Sequence, residues 1–346
     1  MIKYLSIEAV SLETPFFEIQ LFALNTNVTT QTGTGQNLSP EMKTFYDMEL
    51  IEKAEADLIH DQFGKKKPIP KNAGKTIEFR AFTPLDKALT PLTEGVTPNG
   101  QKLDTSYQTA TLNQYGGYVT QSDVLEMTAI DNTIIEAMRL ISSQAGRTLD
   151  TVTREVLNAG TNVIYAPAGS TAVNARSAVA ATSLMTLDVI RNASLSLRRH
   201  NAPRIDGSYV AIIHPDVAMD VRALAGWIDV VRYGDPSRVY KGEIGMIEGI
   251  RFIENTEAKI FSAAGANSGN VYSTLFLGQD AFGVTNLTGG GLEIIVKQKG
   301  SAGTEDPLNQ RSTIGWKALK AVKILVPEYL VRVESSSTHA TTAIIT

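Results

Sequence analysis

The side chains that most often carry acid–base or metal chemistry are sparse in this chain. The histidines are His60, His200, His214 and His339. None of them lies at metal-ligand spacing from another histidine or from a pair of carboxylates. His214 precedes Pro215 at the predicted end of a strand, where an imidazole could act as a catalytic base. We instead expect local hydrogen bonds to satisfy it, and the sequence predicts neither a catalytic nor a metal site.

Motifs for phosphate binding and nucleophilic catalysis are also incomplete. The runs GTG at 33–35 and GGG at 289–291 could belong to phosphate cradles, but neither completes a dinucleotide fingerprint or a P-loop. The G-x-S-x-G turn of serine hydrolases does not occur. The chain contains no cysteine, which excludes disulfides, cysteine-ligated zinc and thiol nucleophiles. We therefore predict that the protein binds no cofactor and is not an enzyme.

One marked basic run precedes the first predicted strand. It consists of Lys65, Lys66, Lys67, Lys71 and Lys75. Such a run can attract an acidic patch on a neighbouring subunit or DNA, although a solvated loop kept soluble by lysine is the simpler interpretation. The formal net charge of −4 argues against wrapping nucleic acid by phosphate neutralisation. We therefore expect only non-specific contact with DNA.

The elements that would position these residues begin with a β-ribbon. The run 75–82 alternates in strand period and places Ile77 and Phe79 on one face. A turn-rich segment at 83–100 separates it from a second β-prone run at 103–111. An isolated two-stranded ribbon is marginally stable in water, so its apolar face needs cover from elsewhere. We predict that a neighbouring subunit supplies this cover.

A long amphipathic helix is predicted over 131–160. Asp131 can cap its start, and Gly160 can adopt the left-handed conformation that ends a helix. At 1.5 Å per residue the helix would be roughly 42 Å long, which is more than a small domain needs. Its apolar stripe comprises Ile134, Met138, Ile141, Ala145, Leu149, Val152 and Val156.

The rest of the chain alternates helix and strand signals, which is typical of a compact α/β lobe. Thr186 is a candidate N-cap for one helix, and Pro215 opens a second helix over 216–224. We expect the last strands to form a sheet that packs on the long helix. Strands are predicted at 209–213, 250–253, 271–277, 292–297, 314–326 and 329–333.

Length and composition indicate a folded, soluble protein. The chain has 346 residues and is 43% hydrophobic, which is ordinary for a protein with two or three subdomains. No apolar run is long enough for a transmembrane helix, so no membrane contact is expected. Glu8, Glu13 and Glu18 interrupt the apolar opening segment, which argues against a signal peptide.

Several motifs, taken in order, resemble the major capsid proteins of tailed bacteriophages. The resemblance is to the subgroup named after the enterobacterial podophage N-four, and it extends over about 26–333. It is specific because several long motifs occur in the right order. The motifs are HDQFG at 60–64, PIPKNAGKTIEFR at 68–80, TPLTEGVTP at 90–98, QYGGYV at 114–119, SDVLE at 122–126, LNAGTNV at 157–163 and GWKA at 315–318.

The resemblance implies an α+β protein with the Hong Kong 97-type capsid fold. The implied parts, in chain order, agree with the elements that periodicity predicts. They are an N-terminal arm at 1–74, an extended β-hairpin loop at 75–119, a peripheral domain at 120–185 with a spine helix at 131–159, an axial domain at 186–291, and C-terminal strands at 292–346 that return to the peripheral domain.

The resemblance also implies a function. It is that of a major capsid protein that self-assembles into hexamers and pentamers, which close an icosahedral head around double-stranded DNA. The implied location is the virion capsid, assembled in the host bacterial cytoplasm, with portal, scaffolding and decoration proteins as further partners. Two alternatives stay open. A soluble α/β enzyme would need a pocket of converging titratable residues, and a minor virion or decoration protein would leave the long helix unexplained.

We predict contacts between subunits at apolar and aromatic side chains of the hairpin and of a glycine-rich loop at 226–249. Such side chains bury large areas at interfaces, although packing within the chain is equally compatible with each one. Glu94 could pair with Lys87 of a neighbour, a contact of about 1 kcal/mol or less. The candidates are Phe79, Phe82, Leu85, Leu92, Glu94, Tyr107 and Tyr115 in the hairpin, and Trp227, Tyr233 and Tyr240 in the loop.

Overall fold

The computed structural model describes residues 59–68, 75–82, 85–92, 94–97, 99–128, 133–229, 242–285, 292–301 and 306–339. The helices are α1 (Asp123–Thr128), α2 (Thr133–Asn158), α3 (Leu187–Arg199) and α4 (Pro215–Arg222). The strands are β1 (Lys65–Lys67), β2 (Thr76–Phe82), β3 (Thr105–Thr111), β4 (Asn113–Ser122), β5 (Val163–Tyr165), β6 (Tyr209–Ile213), β7 (Ile228–Asp229), β8 (Glu243–Ile247), β9 (Ile250–Glu254), β10 (Ile260–Phe261), β11 (Val271–Leu277), β12 (Phe282–Thr285), β13 (Leu292–Lys297), β14 (Arg311–Lys320), β15 (Val322–Ile324) and β16 (Leu330–Ser335).

Helix α2 is the long helix that the apolar periodicity predicts. It contains 26 residues and is therefore roughly 39 Å long at 1.5 Å per residue. Its predicted cap, Asp131, lies outside the described residues. Along its apolar stripe Ile141, Ala145 and Leu149 are buried, as a period of three and four residues requires. The helix is long because its two halves pack on two different sheets.

The prediction that Gly160 ends this helix in a left-handed conformation is wrong. Gly160 does not have a positive φ. A Cβ atom built on it would lie 2.7 Å from a methyl group of Leu330, so the glycine allows close packing of the chain on strand β16. The helix instead ends at Asn158, whose side-chain amide donates to the carbonyl of Arg154 at 2.8 Å.

A three-stranded antiparallel sheet, in the order β13-β14-β4, packs on the N-terminal half of α2. Strand β14 pairs with β4 over ten residue pairs, from Arg311 with Ser122 to Lys320 with Asn113. Alternate side chains, among them Ile314 and Trp316, are buried against the helix. The expectation of a C-terminal sheet on the long helix is thus confirmed for β13 and β14.

The largest sheet has the order β5-β16-β11-β6-β9-β8-β7, with β10 also paired to β11. Every residue of its central strands β6 and β11 is buried, because both faces of the sheet are covered. One face carries Ala211 and Phe276 and packs under α3 and α4. The opposite face carries Ile212 and Leu275 and packs with Leu157 of α2. The alternation of helices and strands over 187–277 therefore forms one α/β layer.

Strand β16 is the last strand of the described chain. It lies in the large sheet, antiparallel to β11 and parallel to β5, and not in the sheet that covers α2. The last strands of the chain thus divide between two sheets. The division of the whole chain into five domains stays a prediction.

Strands β2 and β3 form the predicted ribbon, but its base covers itself within the chain. Ile77 and Phe79 of β2 are 2% and 7% exposed. Together with Ala110 of β3 they pack against Ala321, and the partly buried Leu325 lies against the same cluster. The prediction that the ribbon cannot cover its own apolar face is therefore wrong for its base. Sequence periodicity missed this because the covering residues follow more than 200 positions later in the chain.

A pair of adjacent residues tests the packing of α2. We expect Ile141→Ala to lower the free energy of unfolding by about 2–5 kcal/mol, because it leaves a cavity between the helix and the three-stranded sheet. Leu140→Ala is the control, since Leu140 is 57% exposed and its loss should change stability by no more than about 0.5 kcal/mol. Denaturant unfolding of the unassembled chain measures both. Equal losses would contradict the assignment of the buried face.

Candidate functional site

Large exposed apolar side chains concentrate at the far end of the β2–β3 hairpin. We call the described residues from Leu85 to Asp104 the hairpin tip. Within the tip and the adjoining strand β3, six such side chains are between 53% and 81% exposed. Monomeric proteins rarely expose so many apolar side chains in one segment unless the segment contacts a partner. These side chains are Leu85, Leu89, Leu92, Val96, Leu103 and Tyr107.

Polar contacts to backbone groups, and not apolar packing, shape the hairpin tip. The side-chain amide of Gln101 donates to the carbonyl of Asp86 at 2.9 Å and so ties the two limbs together. The N–H of Leu89 donates to the carbonyl of Lys87 at 3.0 Å, which closes a tight turn. The described residues of the tip form no helix or strand. Its apolar side chains are therefore available to another surface.

The base of the hairpin is fixed in place by close contacts with β12 and β1. Gly283 of β12 lies directly against the ring of Phe79, and a Cβ at this position would overlap the ring. Lys67 of β1 donates to the carbonyl of Glu78, and its Nζ lies 5.5 Å from the centroid of the Phe79 ring. The hairpin thus projects from a rigid base.

The outer face of the β13-β14-β4 sheet carries a groove of about 540 Å³, which we call the glycine trough. Gly116 of β4 and Gly315 of β14 form its floor, because they carry no side chain on this face. A Cβ on Gly116 would lie 2.7 Å from the carbonyl oxygen of Trp316, so a larger residue does not fit. Lys297 and Arg311 lie along the trough and give it a basic character.

A buried ion pair joins the beginning of the described chain to the end of β14. Lys320 Nζ donates to Asp61 Oδ2 at 2.6 Å and to the carbonyl of Leu149 at 2.9 Å. The hydroxyl of Thr153 donates to Asp61 Oδ1 at 2.6 Å. Lys320 is 1% exposed and Asp61 6% exposed. Such a pair is tolerated in the interior only because hydrogen bonds satisfy its remaining polar atoms.

A second buried pair joins His60 to Asp150, which lies on α2 one turn before Thr153. The backbone N–H of His60 donates to Asp150 Oδ1 at 2.9 Å, and His60 Nδ1 lies 2.7 Å from Asp150 Oδ2. The side-chain amide of Asn255 also donates to Asp150 Oδ2, at 3.2 Å. Burial alone would raise the pKa of the Asp150 carboxyl, but the contacts with His60 and Asn255 outweigh burial and lower this pKa.

We call His60, Asp61, Asp150, Thr153, Asn255 and Lys320 the buried polar cluster. Sequence reasoning did not assign these residues a role. The signal that could have found part of it is the motif at 60–64, which places a histidine and a carboxylate next to each other in a segment without helix or strand period. The partners of that motif follow far along the chain, so the sequence does not reveal them.

The structure places the predicted contact residues in different surroundings. Leu85, Leu92, Glu94 and Tyr107 are exposed in the tip and β3. Phe79 is buried within its own chain and offers little surface to a neighbour.

The remaining predicted contact residues are partly buried or not described. Tyr115 packs against the α2 cluster, and Trp227 packs against the core under α3 and α4, with its ring 5.8 Å from that of Phe252. The side chain of Phe82 and the residues Tyr233 and Tyr240 lie outside what the structure describes.

The lysines of the predicted basic run also lie in different surroundings. Lys65 Nζ lies 3.5 Å from Asp280 Oδ2, and Lys67 Nζ donates to a backbone carbonyl at the base of the hairpin. Lys66 and Lys75 are exposed, and Lys71 lies outside the described residues.

His214 is held by local contacts, as expected from the sequence. Its Nδ1 accepts the backbone N–H of Asp216 at 3.2 Å and so caps helix α4. Burial lowers the pKa of the imidazole, while the neighbouring Asp216 opposes this shift. Asp216 Oδ2 in turn accepts the hydroxyl of Tyr272 at 2.6 Å. In the described residues no group of histidines and carboxylates could hold a metal ion, and no helix could span a membrane.

Comparison with known proteins identifies similar chains. Residues 18–301 match the family described as phage capsid protein. The solved capsid of Ralstonia phage GP4 is 16% identical, with 82% of this chain and 90% of that chain covered and a TM-score of 0.68. The cyanophage Pam1 capsid is 16% identical, with 77% and 86% covered and a TM-score of 0.58.

A third solved structure covers almost the whole chain. The acidic stable capsid of Helicobacter pylori bacteriophage KHP30 is 12% identical, with 97% of this chain and 99% of that chain covered and a TM-score of 0.53. No curated protein sequence matches this chain. At these identities the solved structures show a shared fold.

The buried ion pair generates a first prediction for this site. We expect Lys320→Met to lower the free energy of unfolding by about 3–5 kcal/mol, because it leaves the Asp61 carboxylate buried without its charge partner. Lys323→Met is the matched control, since Lys323 is exposed three residues later. Denaturant titration of the unassembled chain compares them. A small effect of Lys320→Met, equal to that of Lys323→Met, would show that the pair is dispensable.

A second prediction concerns the dependence of stability on pH. The pKa of Asp150 is lowered in the folded state, so the folded chain releases this proton more readily than the unfolded chain. The stabilisation is therefore fully present above about pH 4, which is the ordinary pKa of aspartate. It is lost as the pH falls through the lower pKa of the folded state. We expect the stability difference between wild type and Asp150→Asn to shrink on acidification. Thermal unfolding at a series of pH values measures it, and a constant difference would contradict the lowered pKa.

Proposed function

Because this chain belongs to the phage capsid protein family and has the Hong Kong 97-type fold, we propose that it is a major coat protein whose copies form hexamers and pentamers. These rings close into an icosahedral shell around double-stranded DNA. We place it in the subgroup named after podophage N-four, on the motifs between residues 60 and 318.

The observation that carries the proposal is the uncovered hairpin tip. Burial of a leucine side chain contributes about 1.5–3 kcal/mol relative to exposure, and the tip exposes four leucines. A free subunit would leave this surface in water, whereas an assembled one can bury it on a neighbour. The rigid base lowers the entropy lost on docking, since the hairpin is already oriented.

The glycine trough is our candidate for the receiving surface on the neighbouring subunit. It is a groove on the outer face of a sheet whose inner face packs on α2. The tip and the trough are different patches of one chain, so their contact is head-to-tail. Head-to-tail contacts close into rings when the rotation between subunits permits. Many such contacts in one shell reinforce each other through multivalency.

Further partners follow from a shell of this kind. We propose that the chain works in the virion, after assembly in the host bacterial cytoplasm, and that portal, scaffolding and decoration proteins contact the same shell. The net charge of −4 supports only non-specific contact with packaged DNA, because few phosphates would be neutralised. We also propose the five-part domain division, with the hairpin as the extended loop and α2 as the spine helix.

Charged substitutions in the tip test the proposed assembly surface. We expect Leu89→Asp combined with Leu92→Asp to abolish formation of rings and shells, because two carboxylates would have to be buried at the interface. The folding stability should change by no more than about 0.5 kcal/mol, since both side chains are exposed. Sedimentation and negative-stain electron microscopy of the purified chain provide the measurement.

The control for this experiment is Leu195→Asp, which adds a carboxylate at an exposed position of α3, away from the hairpin. We expect this variant to assemble like the wild type. Normal shells from the tip double variant would refute the role of the tip in assembly.

A further inference from the structure

The hairpin tip contains the single Asn–Gly dipeptide of the chain, Asn99–Gly100. An asparagine followed by glycine is the pair most prone to form a succinimide ring, because glycine has no side chain to hinder attack by its backbone nitrogen. The reaction also needs a backbone that is exposed and free to bend.

The local conformation of the pair favours this reaction. Asn–Gly commonly joins two strands in a tight turn with positive φ at both residues, which holds the backbone rigidly. Neither Asn99 nor Gly100 has a positive φ, and neither belongs to a helix or strand. Both residues are exposed. A Cβ atom built on Gly100 would have no atom of the described chain within 4 Å, apart from those of Gly100 and its two neighbours in the sequence. The pair therefore lies in open, irregular backbone.

Two other asparagines of the described chain, Asn158 and Asn255, are held more firmly. Asn158 and Asn255 are buried, and their side-chain amides donate to the carbonyl of Arg154 and to the carboxylate of Asp150. Each of the two is followed by a residue with a side chain. A buried, hydrogen-bonded amide cannot rotate to meet the nitrogen of the next residue. Asn99 thus differs from them in sequence, exposure and bonding.

We propose that Asn99–Gly100 is a site of spontaneous deamidation in the unassembled chain, and that assembly protects it. The backbone nitrogen of Gly100 attacks the side-chain carbonyl carbon of Asn99. A new carbon–nitrogen bond forms, the bond to the side-chain amide nitrogen breaks, and this nitrogen leaves as ammonia with the proton of the Gly100 N–H. Water then adds to one of the two ring carbonyls and opens the succinimide. Opening at the side-chain carbonyl yields aspartate, and opening at the main-chain carbonyl yields isoaspartate.

The products change the tip in two ways. Both carry a negative charge that asparagine lacks, and isoaspartate also adds one methylene to the backbone. A charge is costly to bury at an interface without a partner. This consequence rests on the proposed function, in which the tip is buried on a neighbouring copy. The modification would then make ageing, unassembled subunits unfit for assembly, whereas subunits already in a shell would be spared.

The test follows the modification in the full-length chain. Unassembled protein and assembled particles are incubated side by side at mildly alkaline pH, digested, and analysed by peptide mass spectrometry with isoaspartyl methyltransferase labelling. We expect products at Asn99 to accumulate faster than at Asn309, which precedes glutamine, in the same unassembled sample. We also expect slower accumulation in assembled particles. Equal rates at Asn99 and Asn309 in the unassembled chain would overturn the proposal.

Gly100→Ala is the matched variant. The φ of Gly100 lies outside the left-handed region and the space around it is open, so alanine fits without strain. It should slow the reaction at Asn99 while the circular dichroism of the fresh, unassembled protein stays unchanged. An equally fast reaction in Gly100→Ala would count against the mechanism.

Rates in unassembled protein and in particles distinguish deamidation at Asn99 from burial of the tip on a neighbouring copy. Fast modification in the unassembled chain with equal speed in particles would uphold the chemistry but overturn the protection, and with it the burial of the tip. Asn99→Asp supplies the product charge without ageing. We expect it to assemble less well than fresh wild type, and normal assembly would overturn the proposed loss of competence.

Discussion

The structure depends on burying two carboxylates, a lysine and a histidine at the point where four segments of the chain meet. Each buried charge costs several kcal/mol unless its partners are all in place. Asp61 needs Lys320 from the end of β14, and Asp150 needs His60 and the side chain of Asn255. The cluster therefore stabilises only the complete arrangement and disfavours partly formed ones.

The same cluster sets the position of the hairpin. Lys320 is followed directly by Ala321, which covers the base of the hairpin. The backbone of Ala321 is held by Thr285, which donates its N–H to the Ala321 carbonyl and accepts the Ala321 N–H through its hydroxyl. A continuous series of contacts thus runs from the interior of the molecule to the root of the hairpin. Because this root is rigid, the direction in which the tip points is a property of the folded subunit.

Sequence patterns predicted the elements well where the signal was local. The apolar runs at Tyr209–Ile213 and Val271–Leu277 were assigned to strands with the observed bounds, and the long helix followed from its apolar period. The helix N-cap at Thr186 was correct in position, although its side chain makes no capping hydrogen bond.

The relations between distant segments could not be predicted in this way. Asp61 and Lys320 are 259 residues apart, and neither lies in a sequence pattern that predicts a buried partner. The cover of the hairpin base comes from residues of equally distant origin, so an alternating strand looked as if it needed a second molecule. For the tip, the local signal was sufficient, since proline, glycine and isolated leucines predict irregular and exposed chain.

The contrast between a rigid base and an irregular tip suits the proposed role in a closed shell. A coat protein must make the same contact in rings of six and of five, where the angle between neighbours differs. A regular strand or helix would fit one angle and strain at the other, because packed interfaces tolerate little distortion. A tip without regular structure, held by a few polar contacts to backbone groups, can adjust its leucines to both settings. The anchored base keeps the tip within reach of its neighbour in each case.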